Sequence, residues 1–265
     1  MAALPAHRFT RRSFLCGTAG LALGKASVRA EALAGVPSPV VETSPAPVRD
    51  PAGYTAYVPA ACKAGDFFYY SCEFDAAWAV LKTFGIDATF EEMLKIVGYD
   101  QGIEPYSKET ADGIVIHGGD ISRAFSGDYT SNLFARARGS AIRKVFAKYG
   151  LRVSAVENPA DVKGALKSGR LVWIKTTVDF LEWTPATWIT PSGEHFPVVL
   201  LNDHAAIVMG YDDDVVVIRD VLGPTNTNWN RRYEYEVPWD LFLHCWAAQG
   251  NDGLAVGPKK TGDSN

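Results

Sequence analysis

Behind Cys72, apolar and small residues recur at positions 76, 77, 80, 81 and 84, and that period predicts a helix over 72–84. Gly85 then closes it, as the one residue type that takes left-handed backbone without strain. Thr89-Phe90-Glu91-Glu92 spells a capping box, so a second short helix is expected over 90–97. From 98 to 139 the chain is rich in glycine and polar residues. It reads as a long irregular insertion with one short helix over 120–125. The stretch 140–149 is amphipathic at the helical period, 151–156 alternates as a strand, and Asn158-Pro159 opens a helix that runs to Lys167. After Gly169 the texture changes. Short apolar or alternating runs predict strands at 171–178, 197–201, 204–211, 215–220 and 232–237, then a helix over 239–245 and a last strand at 253–256. Helices early and strands late predict an α+β domain, a helical half packed on an antiparallel sheet half.

The first 34 residues do not belong to that pattern. His7, Arg8, Arg11 and Arg12 make a basic start, Thr10-Arg11-Arg12-Ser13-Phe14-Leu15 reads as a twin-arginine export motif, and the apolar stretch 14–23 is short and diluted by glycine. Ala32-Leu33-Ala34 and Val28-Arg29-Ala30 are both candidate cleavage sites. This leader predicts export through the twin-arginine translocase to the periplasm or beyond, with no stable membrane span once it is removed. Residues 35–53 carry five prolines and read as an extended linker, 54–258 as one domain, and 259–265 as a polar tail. The formal net charge is −4 over the whole chain. It falls to −8 without residues 1–34, which hold five basic residues and one acid. An acidic domain with no Lys/Arg cluster is a poor match for nucleic acid.

Cys16 leaves with the leader, so Cys62, Cys72 and Cys245 remain, an odd number for an oxidising compartment. A Cys62–Cys245 bridge would leave Cys72 as a thiol at the mouth of a helix. There the unpaired N–H groups and the helix dipole favour a thiolate, although Glu73 and Asp75 in the same turn oppose it. Downstream, His204 begins one predicted strand and Asp220 ends the next. If the intervening acidic loop of Asp212, Asp213 and Asp214 is three residues long, the two side chains share a face as diagonal neighbours; a two-residue loop puts them on opposite faces. The acidic triplet reads as a solvated turn rather than a calcium loop. No CxxC pattern is present, and no two of His117, His195, His204 and His244 share a ligand-like spacing, so neither a metal nor another cofactor is expected.

Cysteine, histidine and carboxylate in this order make a nucleophile, a base and an orienter. The segment Ser71-Cys72-Glu73-Phe74-Asp75-Ala76-Ala77-Trp78 through Gly85 resembles the nucleophile helix of the C39-like cysteine peptidases, a branch of the papain-like fold. Asn202-Asp203-His204-Ala205-Ala206-Ile207-Val208-Met209-Gly210-Tyr211-Asp212 resembles that family's His-apolar-Gly-Tyr-Asp signature. Ile218-Arg219-Asp220-Val221 resembles its closing strand end, with Val221 where proline is usual. The resemblance implies a papain-like fold, Cys72 as nucleophile, His204 as general base and acid, Asp220 as orienter, and a peptide or amide substrate. The family's oxyanion glutamine has no counterpart between 57 and 71, and Lys63 lies nearest its place. Two other functions keep the same fold: a non-catalytic secreted binding domain and a thiol acyltransferase. Specificity is expected from the 98–139 segment and the aromatic-rich stretch 180–188.

Overall fold

A computed structural model describes residues 49–259. The leader, its cleavage candidates, Cys16 and most of the proline-rich linker lie outside the described residues. Among the described residues five α-helices form: α1 (Cys72–Thr83), α2 (Phe90–Val97), α3 (Gly139–Lys148), α4 (Pro159–Lys167) and α5 (Trp239–Ala247). None of the described helices is long and apolar enough to cross a membrane.

The main sheet has seven strands, all paired antiparallel. Its order is β12 (Glu234–Pro238), β11 (Val215–Arg219), β10 (Asp203–Tyr211), β7 (Leu171–Thr177), β13 (Gly253–Gly257) and β6 (Arg152–Ala155), with β1 (Ala56–Tyr57) added to the far end of β10. The central strands β7 and β10 are buried along their whole length. A strand covered on both faces reads as a near-continuous apolar run. One face presents Trp173, Ala205, Ile207 and Met209 to a core shared with α1, α2 and α3; the other presents Val172, Ile174, Ala206 and Val208 to α4 and α5. The α+β, papain-like architecture is therefore present, with α4 and α5 covering the sheet face that the Cys72 helix leaves open.

Helix α1 is buried from Cys72 to Leu81. It ends through Gly85, at φ 74°, whose N–H donates to Lys82 O while Ile86 N–H reaches back to Leu81 O. In α2, Thr89 Oγ1 accepts from Glu92 N and Glu92 Oε2 accepts from Thr89 N, which is the capping box the sequence spells. Asn158 caps α4 through Asp161 N.

Two expectations are corrected. The 98–139 segment is not an irregular insertion: it supplies β2 (Tyr99–Asp100), β3 (Tyr106–Thr110), β4 (Gly113–His117) and β5 (Phe125–Ser126). Together with β8 (Pro185–Ile189) and β9 (His195–Val199), the β3–β4 hairpin builds a second, four-stranded sheet. Strand β3 is exposed at every residue, so it carries no alternation by which to recognise it. The helix expected at 120–125 is a single turn, because Ser126 N–H and C=O both pair with Arg136 and draw the chain into extended backbone.

Candidate active site

His204 and Asp220 meet because of an irregularity in the hairpin between them. The turn holds two residues, Asp213 and Asp214, since Asp212 N–H donates to Val215 O. A two-residue turn alone would put the pair on opposite faces. The ladder runs Tyr211↔Val216 and Gly210↔Val217, then shifts by one residue to Val208↔Ile218 and Ile207↔Arg219. Met209 is the extra residue, a β-bulge on β10 that restores a shared face. Gly210 stands at the bulge because β1 crosses there. A Cβ would lie 3.0 Å from Tyr57 Cδ2 and 3.1 Å from Ala56 O.

His204 Nε2 lies 2.8 Å from Asp220 Oδ1, and both side chains are fully buried. Asp220 also accepts from Leu222 N (2.8 Å), from the Tyr235 hydroxyl (2.7 Å) and from Arg231 Nη1 (3.4 Å). Burial alone would push this carboxyl up, but the His204 ring and the Arg231 guanidinium outweigh it and hold it well below the usual carboxylate range. An ionised carboxylate only accepts, so Nε2 must carry the proton and a neutral ring keeps its lone pair on Nδ1. Nδ1 is buried and has no hydrogen-bond partner. Arg231 in turn pairs with Asp179 Oδ1 at 3.0 Å and donates to Gly223 O, which fixes the 221–231 loop behind the pair. Asp179 and Phe180 both hold positive φ, 60° and 51°, a conformation that costs ordinary residues energy and persists where surroundings dictate it.

Cys72 opens α1, and α1 packs against β7 and β10. Its Sγ donates to Glu73 Oε2 at 3.5 Å. Glu73 is wholly buried: its Oε1 accepts from Lys175 Nζ at 2.5 Å and its carbonyl from Trp173 Nε1. Lys175 Nζ also donates to Asp203 Oδ2 at 2.6 Å, and Asp203 takes a further bond from Gln249 Nε2 at 2.6 Å, with Arg136 3.9 Å away. Successive residues of β10 thus divide the work, Asp203 reaching this network and His204 reaching Asp220. The second acid of the first turn, Asp75, is matched by Lys63 at 2.8 Å. Asp75 also accepts from Phe67 N and the Ser71 hydroxyl, which pins the loop entering α1.

Of the sequence candidates, the structure joins His204 to Asp220 directly and links Cys72 to the histidine strand through Glu73, Lys175 and Asp203. Lys63 is buried with its ammonium on Asp75 and the Gly65 carbonyl, over the Phe67 ring. Cys62 and Cys245 are buried and not bridged; the described residues contain no disulfide. The acidic triplet serves the turn, Asp212 Oδ1 accepting from Asp214 N and Val215 N. Among the described residues no group of three or more His, Cys, Asp or Glu side chains gathers as a metal site. Sequence reasoning missed Lys175, Asp203, Arg136, Gln249, Arg231 and Tyr235. Lys175 did leave a signal, a lone lysine inside the apolar run Leu171-Val172-Trp173-Ile174, where a charge must find partners.

The profile of the Peptidase C39-like family matches residues 55–254. YvpB of Bacillus subtilis (strain 168), a protein of uncharacterised activity, is 29% identical over 198 residues, which span 71% of this chain and 69% of YvpB. A crystal structure from Bacillus anthracis, provisionally described as a C39-like peptidase, superposes with a TM-score of 0.56 at 18% identity, over 72% of this chain and 90% of that one. At that identity the likeness speaks for the fold.

Proposed function

The chain belongs to the Peptidase C39-like family, and on that premise we propose that it is a cysteine peptidase or amidase working through Cys72, His204 and Asp220. The observation that carries this reading is the buried His204–Asp220 bond. It spends Nε2 and leaves Nδ1 as the basic nitrogen, at the start of the strand against which the Cys72 helix packs.

In this chemistry Nδ1 takes the thiol proton and the imidazolium is steadied by the Asp220 carboxylate. The thiolate attacks the substrate carbonyl. The backbone N–H of Cys72, at the N-terminal end of α1 where the helix dipole favours negative charge, is the donor assigned to the developing oxyanion. Lys63 has only one ammonium N–H beyond those held by Asp75 and Gly65, so the backbone is the main donor in this reading. Nδ1–H then protonates the leaving amine, and His204 next activates water against the thioester.

Cys72→Ala is expected to abolish cleavage of any peptide or amide substrate found by screening, with the far-UV circular dichroism unchanged. Full turnover by a folded Cys72→Ala protein would sink the assignment. We extend the proposal to location: residues 1–34 are a twin-arginine leader. Protein recovered outside the cytoplasmic membrane should begin at Glu31 or Gly35 by N-terminal sequencing. An intact N-terminus on protein confined to the cytoplasm would refute export.

A further inference from the structure

Two buried carboxylates, Glu73 beside the nucleophile and Asp203 beside the base, share one ammonium, that of Lys175. We propose that Lys175 is the positioning residue of this site, a clasp that fixes the nucleophile helix to the histidine strand and cancels the charge of Glu73, so that the Cys72 thiol can ionise. The inference rests on the catalytic reading of Cys72 and His204.

Geometry gives the clasp its two functions. Lys175 opposes Ala205 on β10, so its neighbour on the same face is Asp203, the residue before His204. Its other contact, Glu73, is the residue after Cys72 and accepts a hydrogen bond from the thiol. One side chain thus spans from the first turn of α1 to the first residue of β10. The groups around the thiol are Glu73 and Asp75 on its own helix, Lys63 against Asp75, Lys175 on β7, Asp203 and His204 on β10, and Arg136 beyond Asp203. Asp75 is held by Lys63 and Asp203 also by Arg136 and Gln249, whereas Glu73 has only neutral donors, Ala137 N–H at 3.3 Å and the Cys72 thiol, besides Lys175, so its charge is the one that depends on Lys175. Burial disfavours the Lys175 charge, yet Asp203, Glu73 and the nearby Cys72 together hold its proton firmly.

The alkylation rate of Cys72 by iodoacetamide against pH reads this out, because only the thiolate reacts. Losing a cation from beside Glu73 should move the acid limb of Lys175→Met upward and cut the rate at pH 6 about tenfold or more. Glu73→Gln should move the limb downward, and Glu73→Gln/Lys175→Met should return it toward the wild type. Lys175→Arg should retain most of the wild-type profile. Opposite shifts in the two single variants are what a packing role would not produce. If Lys175→Met does not fold, Glu73→Gln against the double variant carries the comparison, since the double removes one charge of each sign. Limbs that coincide, or that move in the same direction in both, overturn the assignment. Failure of the underlying reading looks different: wild-type Cys72 would titrate like an ordinary thiol and ignore His204→Ala.

Discussion

A carboxylate sealed from water is costly unless donors surround it, and Asp220 collects four: His204, Leu222 N, Tyr235 and Arg231. Tyr235 is the member whose removal is cleanest. Burial and then the Asp220 charge push its phenol well above the usual range, so it stays protonated and donating at ordinary pH. Tyr235→Phe deletes the bond to the charged Asp220, together with the one its oxygen accepts from Arg231 Nη1 at 3.2 Å, and little volume. It should cost about 1.5–3 kcal/mol, measured as a lowered urea midpoint, while alkylation of Cys72 still depends on His204. An unchanged midpoint would mean the bond adds nothing. At this scale the sequence was legible where placement follows from element ends, as for Cys72 at the start of α1 and the contact of His204 with Asp220. It was silent where a residue acts through partners distant in the chain. Lys175 had to be paired, being charged inside an apolar strand, but nothing local tells that its carboxylates are Glu73 and Asp203, the first 102 residues away.

Elements were legible where the signal is local. The Thr89–Glu92 capping box and the Asn158 cap are side-chain-to-backbone hydrogen bonds closed within four residues, so their residue types announce them. Strands that exist only through pairing with other strands were not. Strand β3 is wholly exposed and exists because β4 pairs with it, and β4 in turn lies parallel to β8, which starts 68 residues beyond the end of that strand. The His204–Asp220 hairpin is the instructive mixed case. The three-residue loop that would align the pair does not form, because Asp212 closes a tighter turn with its own side chain on Asp214 N and Val215 N. A bulge at Met209 supplies the missing residue instead. Both routes give the same face, so the contact could be anticipated while its mechanism could not.

For the molecule as a whole, buried acids tie the fold to pH. Burial pushes Asp203 and Asp220 up, but Lys175 and Arg136 bring the first below the usual carboxylate range, as His204 and Arg231 do the second. Their folded values lie below the unfolded value of about 3.9. Their contribution is therefore complete above that pH, and it is lost as pH falls toward the folded values, where the unfolded chain binds protons first. Asp252 works in the opposite sense. Burial raises it despite Arg138, so the folded state takes up its proton first as pH falls, and its contribution, complete below the unfolded value, is lost as pH rises through the folded one. Urea midpoints taken from pH 7 to pH 3 should hence hold level or rise slightly at first, then fall steeply below about pH 4. Asp203→Asn should start lower and fall less steeply, because its share of the proton uptake is gone. A wild-type midpoint that stays level to pH 3 would show that these carboxylates are not held ionised by the fold. The same steep fall should remove Cys72 reactivity with the structure, since Asp203 holds Lys175, which reaches Glu73 on α1, and Asp220 is hydrogen-bonded to His204. A fold that outlived the site on acidification would separate the two networks that meet at β10.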